Sequence, residues 1–307
     1  MIWLIGSQGF IGKEISKKFD EKKYNWVGTN NEVDISNADS LESFAQSIKT
    51  AAYFPSELPK SERQIKWIVN CAQILDDKIA GENPEFCEKI NSKGAENIAR
   101  LARKIGAKLI HISDVSVFDC KGNIAFSEEN PKYPCSILGK TLLAGEIAIQ
   151  KEMNQYYIFR TTNLFGQDNS PLEQFISSVL NNQVVQPVYG KDFALTYISD
   201  FCDTIIQFIE KSNNATELFG KHSAPSYGIY NVSNSGTVNN KELLKEIRHL
   251  CKKYYKITSN SELTDKALSF NLPENTLLNT NKVIKEINLK NPSWQKSLEK
   301  YFKTNKK

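Results

Sequence analysis

Short apolar runs alternate with amphipathic stretches through the first half of the chain. Runs typical of buried strands occur at Ile2–Ile5, Asn25–Val27, Trp67–Cys71, Lys108–Ile112 and Tyr156–Arg160. Between them, apolar residues recur every three or four positions, as on a helix with one buried face, over Ile11–Phe19, Leu41–Ile48, Cys87–Ile105 and Leu138–Met153. Strands that alternate with helices form βαβ units, so we predict an α/β protein with a doubly wound parallel sheet.

The alternation becomes less regular after Gly166. Helical spacing returns at Pro171–Leu180, Phe201–Lys211 and Lys241–Tyr254. We therefore predict a core over residues 1–165 and a mixed segment over residues 166–307, which forms a smaller C-terminal lobe and returns to the core. The segment Ala51–Arg63 contains two prolines and is predicted to be a surface excursion. Ser36 and Asn37 are available as caps before the second helix, and Asn83-Pro84 precede the third.

The composition is that of an ordinary soluble globular protein, with 40% hydrophobic and 24% charged residues. A formal net charge of +4, with one dense basic block at the tail Lys303–Lys307, does not indicate a nucleic-acid partner. The N-terminal apolar run ends at Gly6 and is too short for a signal peptide or a membrane span. We expect a cytoplasmic protein that does not enter the membrane.

The cysteines give no sign of a metal site. The chain has 6 cysteines and no Cys-x-x-Cys pair. Scattered single cysteines are typical of reduced thiols in a cytosolic protein, so we predict no metal and no disulfide framework.

A glycine-rich loop follows the first predicted strand and opens the first predicted helix. It reads Gly6-Ser7-Gln8-Gly9-Phe10-Ile11-Gly12. Glycines permit a tight turn, let the backbone approach a pyrophosphate and allow close packing of the helix on the strand, while the helix N-terminus supplies N–H donors. The alternative is a tight turn without a ligand. The position in the first βα turn favours a dinucleotide site, with predicted contacts from Gly6, Gln8, Gly9, Phe10, Ile11 and Gly12.

The end of the second strand leaves the choice of cofactor open. Proteins that bind NAD place an acidic residue there, roughly 20 residues past the loop, to hold the ribose. This chain has Gly28-Thr29-Asn30, with Glu32 as the nearest carboxylate and no arginine to pair with a 2′-phosphate. The predicted cofactor is therefore NADP or NAD.

One segment has a sequence that can be assigned to a family. Ser136-Ile137-Leu138-Gly139-Lys140-Thr141-Leu142-Leu143-Ala144-Gly145-Glu146 resembles the active-site helix of the dTDP-4-dehydrorhamnose reductase family, which consists of extended short-chain dehydrogenase/reductases. Further blocks resemble the family in the same order along nearly the whole chain, at Val69–Ala72, Leu109–Ser113, Phe159–Thr162, Thr196–Asp200 and Gly228–Asn234. The resemblance implies a Rossmann fold of the extended type, with a substrate lobe in the C-terminal half.

The resemblance adds four residues to the predicted cofactor contacts. Asp34-Ile35 matches the family's pair near the adenine, although Asp34 could instead cap a turn. Ala72 and Gln73 follow the strand that ends beside the cofactor in the family. The implied activity is the NAD(P)H-dependent reduction of a nucleotide-linked 4-keto-6-deoxy sugar in dTDP-rhamnose or polysaccharide biosynthesis.

The positions that carry the family's chemistry hold other residues. The family's tyrosine is Leu138, its lysine is Leu142 and its threonine is Asp114. In the family, the tyrosine gives a proton to the carbonyl oxygen, and the lysine lowers the tyrosine pKa and holds the nicotinamide ribose. Leucine can do neither, and loss of a general acid typically costs ~10²–10⁴ in rate. Leu272-Pro273 also replaces the family's Arg-Pro.

No nearby side chain is a good replacement for the missing tyrosine. We expect Tyr133 to be a packed loop aromatic, His111 to lie in the core and Lys140 to be solvated. Asp114 is expected to form turn or cap hydrogen bonds, and it could donate a proton only if burial raised its pKa. Leu138 and Leu142 themselves can be read as packed core.

Two functions follow from these observations. One is an active nucleotide-sugar reductase, and the other is a non-catalytic NAD(P)-binding regulatory or partner subunit. The partners left open are a nucleotide sugar, a second copy of the chain in a homodimer and another protein, and neither a nucleic acid nor a membrane is expected.

Overall fold

The computed structural model describes residues 1–50, 60–166, 170–188, 190–215, 217–218, 221–222, 224–264 and 274–305. Of the predicted surface excursion Ala51–Arg63, only a single turn of 3-10 helix at Lys60–Arg63 lies within these ranges. Leu272-Pro273 and the last two residues of the basic tail lie outside the described residues.

The strands follow the apolar runs closely. They are β1 (Ile2–Ile5), β2 (Trp26–Thr29), β3 (Trp67–Asn70), β4 (Lys108–Asp114), β5 (Tyr156–Thr161), β6 (Leu164–Phe165), β7 (Thr196–Tyr197), β8 (Glu217–Leu218), β9 (Lys221–His222) and β10 (Gly228–Asn231). Six of them form a parallel sheet in the order β10-β5-β4-β3-β1-β2. β1 is an interior strand, since Ile2 pairs with Trp26 on one side and with Trp67 on the other. The chain thus reverses its winding direction at β1, which confirms the predicted doubly wound α/β fold.

The sheet is buried on both faces. Trp3, Leu4, Ile68 and Val69 have no exposed surface. Continuous apolar strands of this kind are typical of parallel sheets covered by helices on either side. The indole Nε1 of Trp3 donates a hydrogen bond of 2.8 Å to Oγ1 of Thr29, so the one polar atom of that ring is satisfied inside the core.

The helices occupy the amphipathic stretches. They are α1 (Phe10–Glu21), α2 (Ala38–Thr50), α3 (Asp77–Glu82), α4 (Pro84–Glu88), α5 (Ala95–Ile105), α6 (Ile137–Glu152), α7 (Pro171–Leu180), α8 (Ile198–Asn213), α9 (Asn240–Leu250), α10 (Asn281–Ile287) and α11 (Trp294–Thr304). Asn37 caps α2 as predicted, because its Oδ1 accepts hydrogen bonds from the backbone N–H groups of Asp39 and Ser40.

One predicted helix is not continuous. The stretch Cys87–Ile105 begins earlier, at Pro84, and its turns widen into a π-helix at Lys89–Gly94 before α5 continues. The wider turn places the Asn91 amide against the backbone of Ile74, whose N–H and carbonyl it bonds at 2.9 Å each. Apolar spacing reports the buried face of a helix and cannot reveal such an insertion. A similar π-turn, Cys251–Tyr255, ends the stretch predicted as Lys241–Tyr254.

The chain divides into two compact units. The first comprises Met1–Asp119, Pro131–Arg160 and Pro225–Tyr230, and the second comprises Cys120–Asn130, Thr161–Ala224 and Asn231–Lys307. The first unit holds β1 to β4 with α1 to α6. The second holds α7 to α11 and an aromatic cluster in which the ring centroids of Phe165 and Tyr197 lie 5.2 Å apart. The predicted boundary at residue 165 and the substrate role of the C-terminal part stay predictions.

Candidate functional site

The glycine loop is shaped by close backbone contacts at the end of β1. Gly6 has a φ of +78°, and a Cβ at this position would lie 2.7 Å from the backbone nitrogen of Ala72. A Cβ on Gly12 would overlap the carbonyl oxygen of Gly6. Both residues must therefore be glycine for α1 to begin directly against the loop and for the loop to reach the end of β3.

A cavity of about 740 Å³ opens beside this loop. Its volume lies within the range usual for small-molecule and cofactor sites. The structure brings together most of the predicted cofactor contacts there, since the cavity is lined by Gly6, Gln8, Gly9, Asp34, Ile35, Ala72 and Gln73. The other three predicted residues form the first turn of α1, where Ile11 and Gly12 are buried and Phe10 is partly exposed.

The remaining residues that line the cavity were not predicted from the sequence as cofactor contacts. They lie after β2, after β3 and around the π-turn, and they are Asn30, Asn31, Val33, Ser36, Cys71, Ile74, Phe86, Lys89 and Ile90. The predicted strand ends were a usable signal for several of them, because ligands of doubly wound sheets bind at the carboxyl ends of the strands. The π-turn residues carried no such signal.

Asn30 holds the glycine loop with both ends of its side-chain amide. Its Oδ1 accepts a hydrogen bond of 2.8 Å from the backbone N–H of Gln8, and its Nδ2 donates one of 3.1 Å to Oγ of Ser7. Glu32 Oε1 in turn accepts the backbone N–H of Asn30 at 2.9 Å. The amide at the end of β2 therefore braces the loop.

Asp34 caps a turn, which the sequence analysis gave as the alternative to a contact with the cofactor. Its Oδ1 accepts hydrogen bonds from the backbone N–H of Ser36 at 2.9 Å and from Oγ of the same residue at 2.7 Å. This side-chain turn leads the chain from β2 into α2. Asp34 also lines the cavity, so the turn does not remove it from the candidate site, and its contact with an adenine stays a prediction.

A buried polar network lies between the ends of β3 and β4. The ring Nδ1 of His111 lies 3.0 Å from Nδ2 of Asn70, and its Nε2 lies 2.9 Å from Nε2 of Gln73. Burial lowers the pKa of His111 to about 4, so the ring is neutral near pH 7, and its predicted core position is confirmed. Oε1 of Gln73 is buried and has no hydrogen-bond partner among the described residues.

The glycine contacts and the cavity volume fit a dinucleotide.

The helix α6 carries Leu138 and Leu142, which are predicted to stand at the family's tyrosine and lysine positions. Ser136 Oγ caps it by accepting the backbone N–H of Gly139 at 3.1 Å. A Cβ on Gly139 would overlap the carbonyl oxygen of Ser116, and one on Gly145 would overlap that of Asn91, so the helix packs tightly on both neighbours. Leu138 is 4% exposed and Leu142 is 0% exposed. The interpretation of these leucines as packed core is confirmed.

Asp114 caps the short turn that follows β4. Its Oδ1 accepts the backbone N–H of Ser116 at 2.9 Å, which confirms the predicted turn role. The residue keeps some surface exposure, yet burial raises the pKa of its carboxyl to about 6, and the nearby Asp77 carboxylate acts in the same direction. The carboxyl is therefore partly protonated at slightly acidic pH.

The other two residues near α6 are at the surface. Lys140 is exposed as predicted. The prediction of a packed ring at Tyr133 was wrong, because the side chain is 69% exposed. Tyr133 lies in an irregular segment before Ser136.

A buried ion pair joins α6 to β5. Nε of Arg160 donates to Oε1 of Glu146 at 2.9 Å, and Nη2 donates to Oε2 at 2.6 Å. Ser113 at the end of β4 donates its hydroxyl to Oε1 of Glu146 at 2.5 Å, and the guanidinium lies 5.1 Å from the Phe118 ring centre. The side chains of the ion pair are 1% and 0% exposed. The elements α6, β4 and β5 are thus fixed to one another by charge-assisted hydrogen bonds.

The described residues contain no group of three or more His, Cys, Asp or Glu side chains that could hold a metal ion. None of the described helices has both the length and the hydropathy of a membrane span.

Comparison with known proteins connects this geometry to a family. The sequence model of the RmlD substrate binding domain matches residues 1–306. The dTDP-4-dehydrorhamnose reductase of Salmonella typhimurium is 24% identical over 302 residues, which cover 96% of this chain and 94% of that protein. The methionine adenosyltransferase 2 subunit beta of Xenopus tropicalis is 22% identical over 221 residues, covering 68% and 61%.

A solved structure shares the fold over the full length. The dTDP-4-dehydrorhamnose reductase of Bacillus anthracis, determined in complex with NADP, superimposes with a TM-score of 0.81 at 24% identity and covers 99% of this chain and 98% of its own.

Proposed function

Because the chain belongs to the RmlD substrate binding domain family, we propose that it binds NADP or NAD in the cavity beside the glycine loop and lacks the reductase turnover of members with a tyrosine and a lysine on the active-site helix. Its role is then that of a nucleotide-binding regulatory or partner subunit. The bound nucleotide would supply a transferable hydride, and the chain would lack the matching proton donor.

The cofactor half of the proposal is supported by the cavity. The positions of Gly6 and Gly12 leave room for backbone only, which is the requirement for a loop that approaches a pyrophosphate. The first-turn N–H groups of α1 have no preceding helical carbonyl to bond, so they are suited to phosphate oxygens. The relative from Bacillus anthracis with the same fold was solved with NADP.

The catalytic half depends on one observation, the burial of Leu138 and Leu142 at 4% and 0% exposure. A hydrocarbon side chain cannot donate a proton. In addition, no ammonium stands at Leu142 to hold a nicotinamide ribose. The expected loss in rate from the missing general acid alone is ~10²–10⁴.

A role as a subunit of another enzyme also has a parallel among the relatives. The Xenopus tropicalis protein is named as a subunit of methionine adenosyltransferase, and it matches this chain over 221 residues. This likeness supports a partner subunit as the function that remains when the chemistry is lost.

The proposal predicts nucleotide binding without sugar reduction. Calorimetric titration of the purified chain with NADPH and with NADH should show saturable binding of at least one of them. Incubation with NADPH and dTDP-4-dehydrorhamnose should give no loss of absorbance at the nicotinamide wavelength above the protein-free rate. The Bacillus anthracis reductase serves as the positive control. Absence of binding, or steady nicotinamide oxidation, would contradict the proposal.

A second candidate function, an active reductase, is favoured by the carboxyl of Asp114. Its pKa is raised to about 6 by burial, so it could act as the proton donor on the acidic side of that value. Such an enzyme would lose rate about tenfold per pH unit above pH 6, because only the protonated carboxyl donates. Turnover assays from pH 5 to 8 test this candidate.

Two variants test whether turnover in this assay depends on the Asp114 carboxyl and its pKa. Asp114→Asn would abolish any turnover that depends on this carboxyl. Asp77→Asn removes the neighbouring charge that raises the Asp114 pKa, and would move the profile to lower pH without removing activity. A flat profile at the background rate at every pH would eliminate this candidate and agree with the main proposal.

A further inference from the structure

The cavity beside the glycine loop lies entirely within the first compact unit. Its lining residues fall between Gly6 and Ile90, and they belong to the ends of β1, β2 and β3 and to α4 with the π-turn that follows it. Among the described residues, none that lines this cavity lies on β4, β5 or α6. The cavity is thus formed on the β3-β1-β2 side of the six-stranded sheet.

The lining combines the two features that an adenosine diphosphate group needs. Part of it is apolar and suits the flat faces of a purine, with side chains from Val33, Ile35, Ile74, Phe86 and Ile90. Gly6 and Gly9 bring backbone to the same cavity, and Gly9 is the N-cap of α1, whose N-terminus favours phosphate. A ligand of this class is therefore matched without any contribution from α6.

The polar groups at the end of β4 are bonded within the protein. The Ser113 hydroxyl donates to Glu146 at 2.5 Å, and Oδ1 of Asp114 accepts the backbone N–H of Ser116 at 2.9 Å. A nicotinamide with its ribose carries two hydroxyls and a carboxamide, and each of these groups must keep water or find a protein partner. Binding of that half at the end of β4 would compete with bonds that the fold already makes.

The helix α6 packs directly on the turn that follows β4. A Cβ on Gly139 would overlap the Ser116 carbonyl oxygen, so the two backbones are in contact. Leu138 and Leu142 are 4% and 0% exposed, so they offer a second ribose neither a polar group nor an open surface. The nicotinamide half therefore gains little on this side by leaving water.

Resting on the nucleotide binding proposed above, we propose that the cavity recognises the adenosine 5′-diphosphate group alone, and that the nicotinamide half of a bound dinucleotide remains in solvent. The ligand class of this chain is then adenosine nucleotides with a diphosphate group, including ADP-ribose, which carries no redox group. A partner subunit of this kind would respond to the concentration of adenosine diphosphate compounds and not to the oxidation state of a nicotinamide.

Paired ligands that differ only in the nicotinamide test this directly. Calorimetric titrations compare NADH with ADP-ribose, and NADPH with 2′-phospho-ADP-ribose, so that the outcome does not depend on whether the site prefers a 2′-phosphate. Reduced nicotinamide is uncharged, so the two members of a pair carry the same charge. We expect the two dissociation constants of the pair that binds to agree within about fivefold.

Saturation-transfer NMR reports which half of the dinucleotide contacts the protein. With NADH or NADPH bound, we expect the adenine protons to receive saturation from the protein and the nicotinamide ring protons to receive less. This readout does not depend on turnover or on the absolute affinity.

Two exposed aromatic side chains provide matched variants. Phe86 lines the cavity and is 51% exposed, whereas Tyr133 lies before α6, is not among the residues that line the cavity and is 69% exposed. Phe86→Ala should weaken the dinucleotide and its fragment by the same factor, because both use the adenine side. Tyr133→Ala should leave both dissociation constants unchanged. Thermal unfolding checks that each variant is folded.

A difference of more than about fivefold within the pair that binds, or nicotinamide protons saturated as strongly as the adenine protons, would overturn the inference and leave the proposed nucleotide binding intact. Weaker binding of the dinucleotide alone in either variant would also overturn it, because the nicotinamide half would then contact the protein. If neither NADH nor NADPH binds to the unmodified chain, the proposed function itself has failed.

Discussion

Replacement of Glu146 by glutamine is expected to lower the free energy of unfolding by about 3–5 kcal/mol. The side chain has no exposed surface, and it accepts two hydrogen bonds from the Arg160 guanidinium and a third from the Ser113 hydroxyl. Glutamine keeps the size but loses the charge, so the guanidinium remains buried without a counter-charge. Urea unfolding followed by circular dichroism measures the effect.

The matched control is Glu152→Gln on the same helix. Glu152 also pairs with arginines, at 2.9 Å to Arg100 and 3.0 Å to Arg103, but these partners are largely exposed to solvent. Because solvent screens exposed pairs, this variant should be far less destabilised than Glu146→Gln. Equal stability losses in the two variants would show that the buried pair does not anchor α6 to β5.

The combined substitution Leu138→Tyr and Leu142→Lys is expected to destabilise the chain without producing a reductase. Leu142 is fully buried, and an amine placed there must either lose its proton or remain charged in an apolar environment. We expect the free energy of unfolding to fall by roughly 3 kcal/mol or more. Reduction of dTDP-4-dehydrorhamnose should stay at the background rate, as followed by nicotinamide absorbance.

The control for this variant is Leu142→Met, which preserves volume and apolar character. Such exchanges usually cost less than about 1.5 kcal/mol, so the chain should remain close to its original stability. Recovery of family-level reductase activity by the two substitutions alone would mean that the substrate pocket is intact, and it would contradict the view of α6 as packed core.

The sheet could be predicted because both of its faces are buried. A strand covered on both sides must be apolar throughout, so β1 was predicted with its observed bounds, Ile2–Ile5, and β3 and β5 to within a residue. The glycine loop could also be predicted from the sequence. Gly6 and Gly12 lie where a Cβ would meet backbone, and this steric demand leaves a direct trace in the sequence.

Features that depend on distant partners left no such trace. The use of Asn30 as a brace depends on where the Gln8 N–H lies in space. The exposure of Tyr133 depends on the absence of a covering surface, which local sequence does not encode. The Glu146–Arg160 pair appears in the sequence as two ordinary charged residues, and only the packing of α6 on β5 shows that both are buried.

The glycine loop and α6 differ in how they match the predicted site. The loop has tight glycine contacts and borders a cavity of about 740 Å³. On α6, the positions predicted for the proton donor and for the ribose-binding lysine hold the buried leucines Leu138 and Leu142. A chain that retained only the binding half would still gain stability from its nucleotide, because a ligand that binds the folded state alone shifts the unfolding equilibrium.

Deuterium transfer from labelled nicotinamide tests the central claim most directly. The unmodified chain, at a concentration equal to that of the sugar, is incubated with NADPH or NADH carrying deuterium at C4 and with dTDP-4-dehydrorhamnose, and the sugar is then analysed by mass spectrometry. Because the protein and the sugar are present at equal concentration, even a single slow turnover would be detected. We predict no deuterium in the sugar above the protein-free control. Sugar that carries one deuterium in proportion to the protein added would contradict the account.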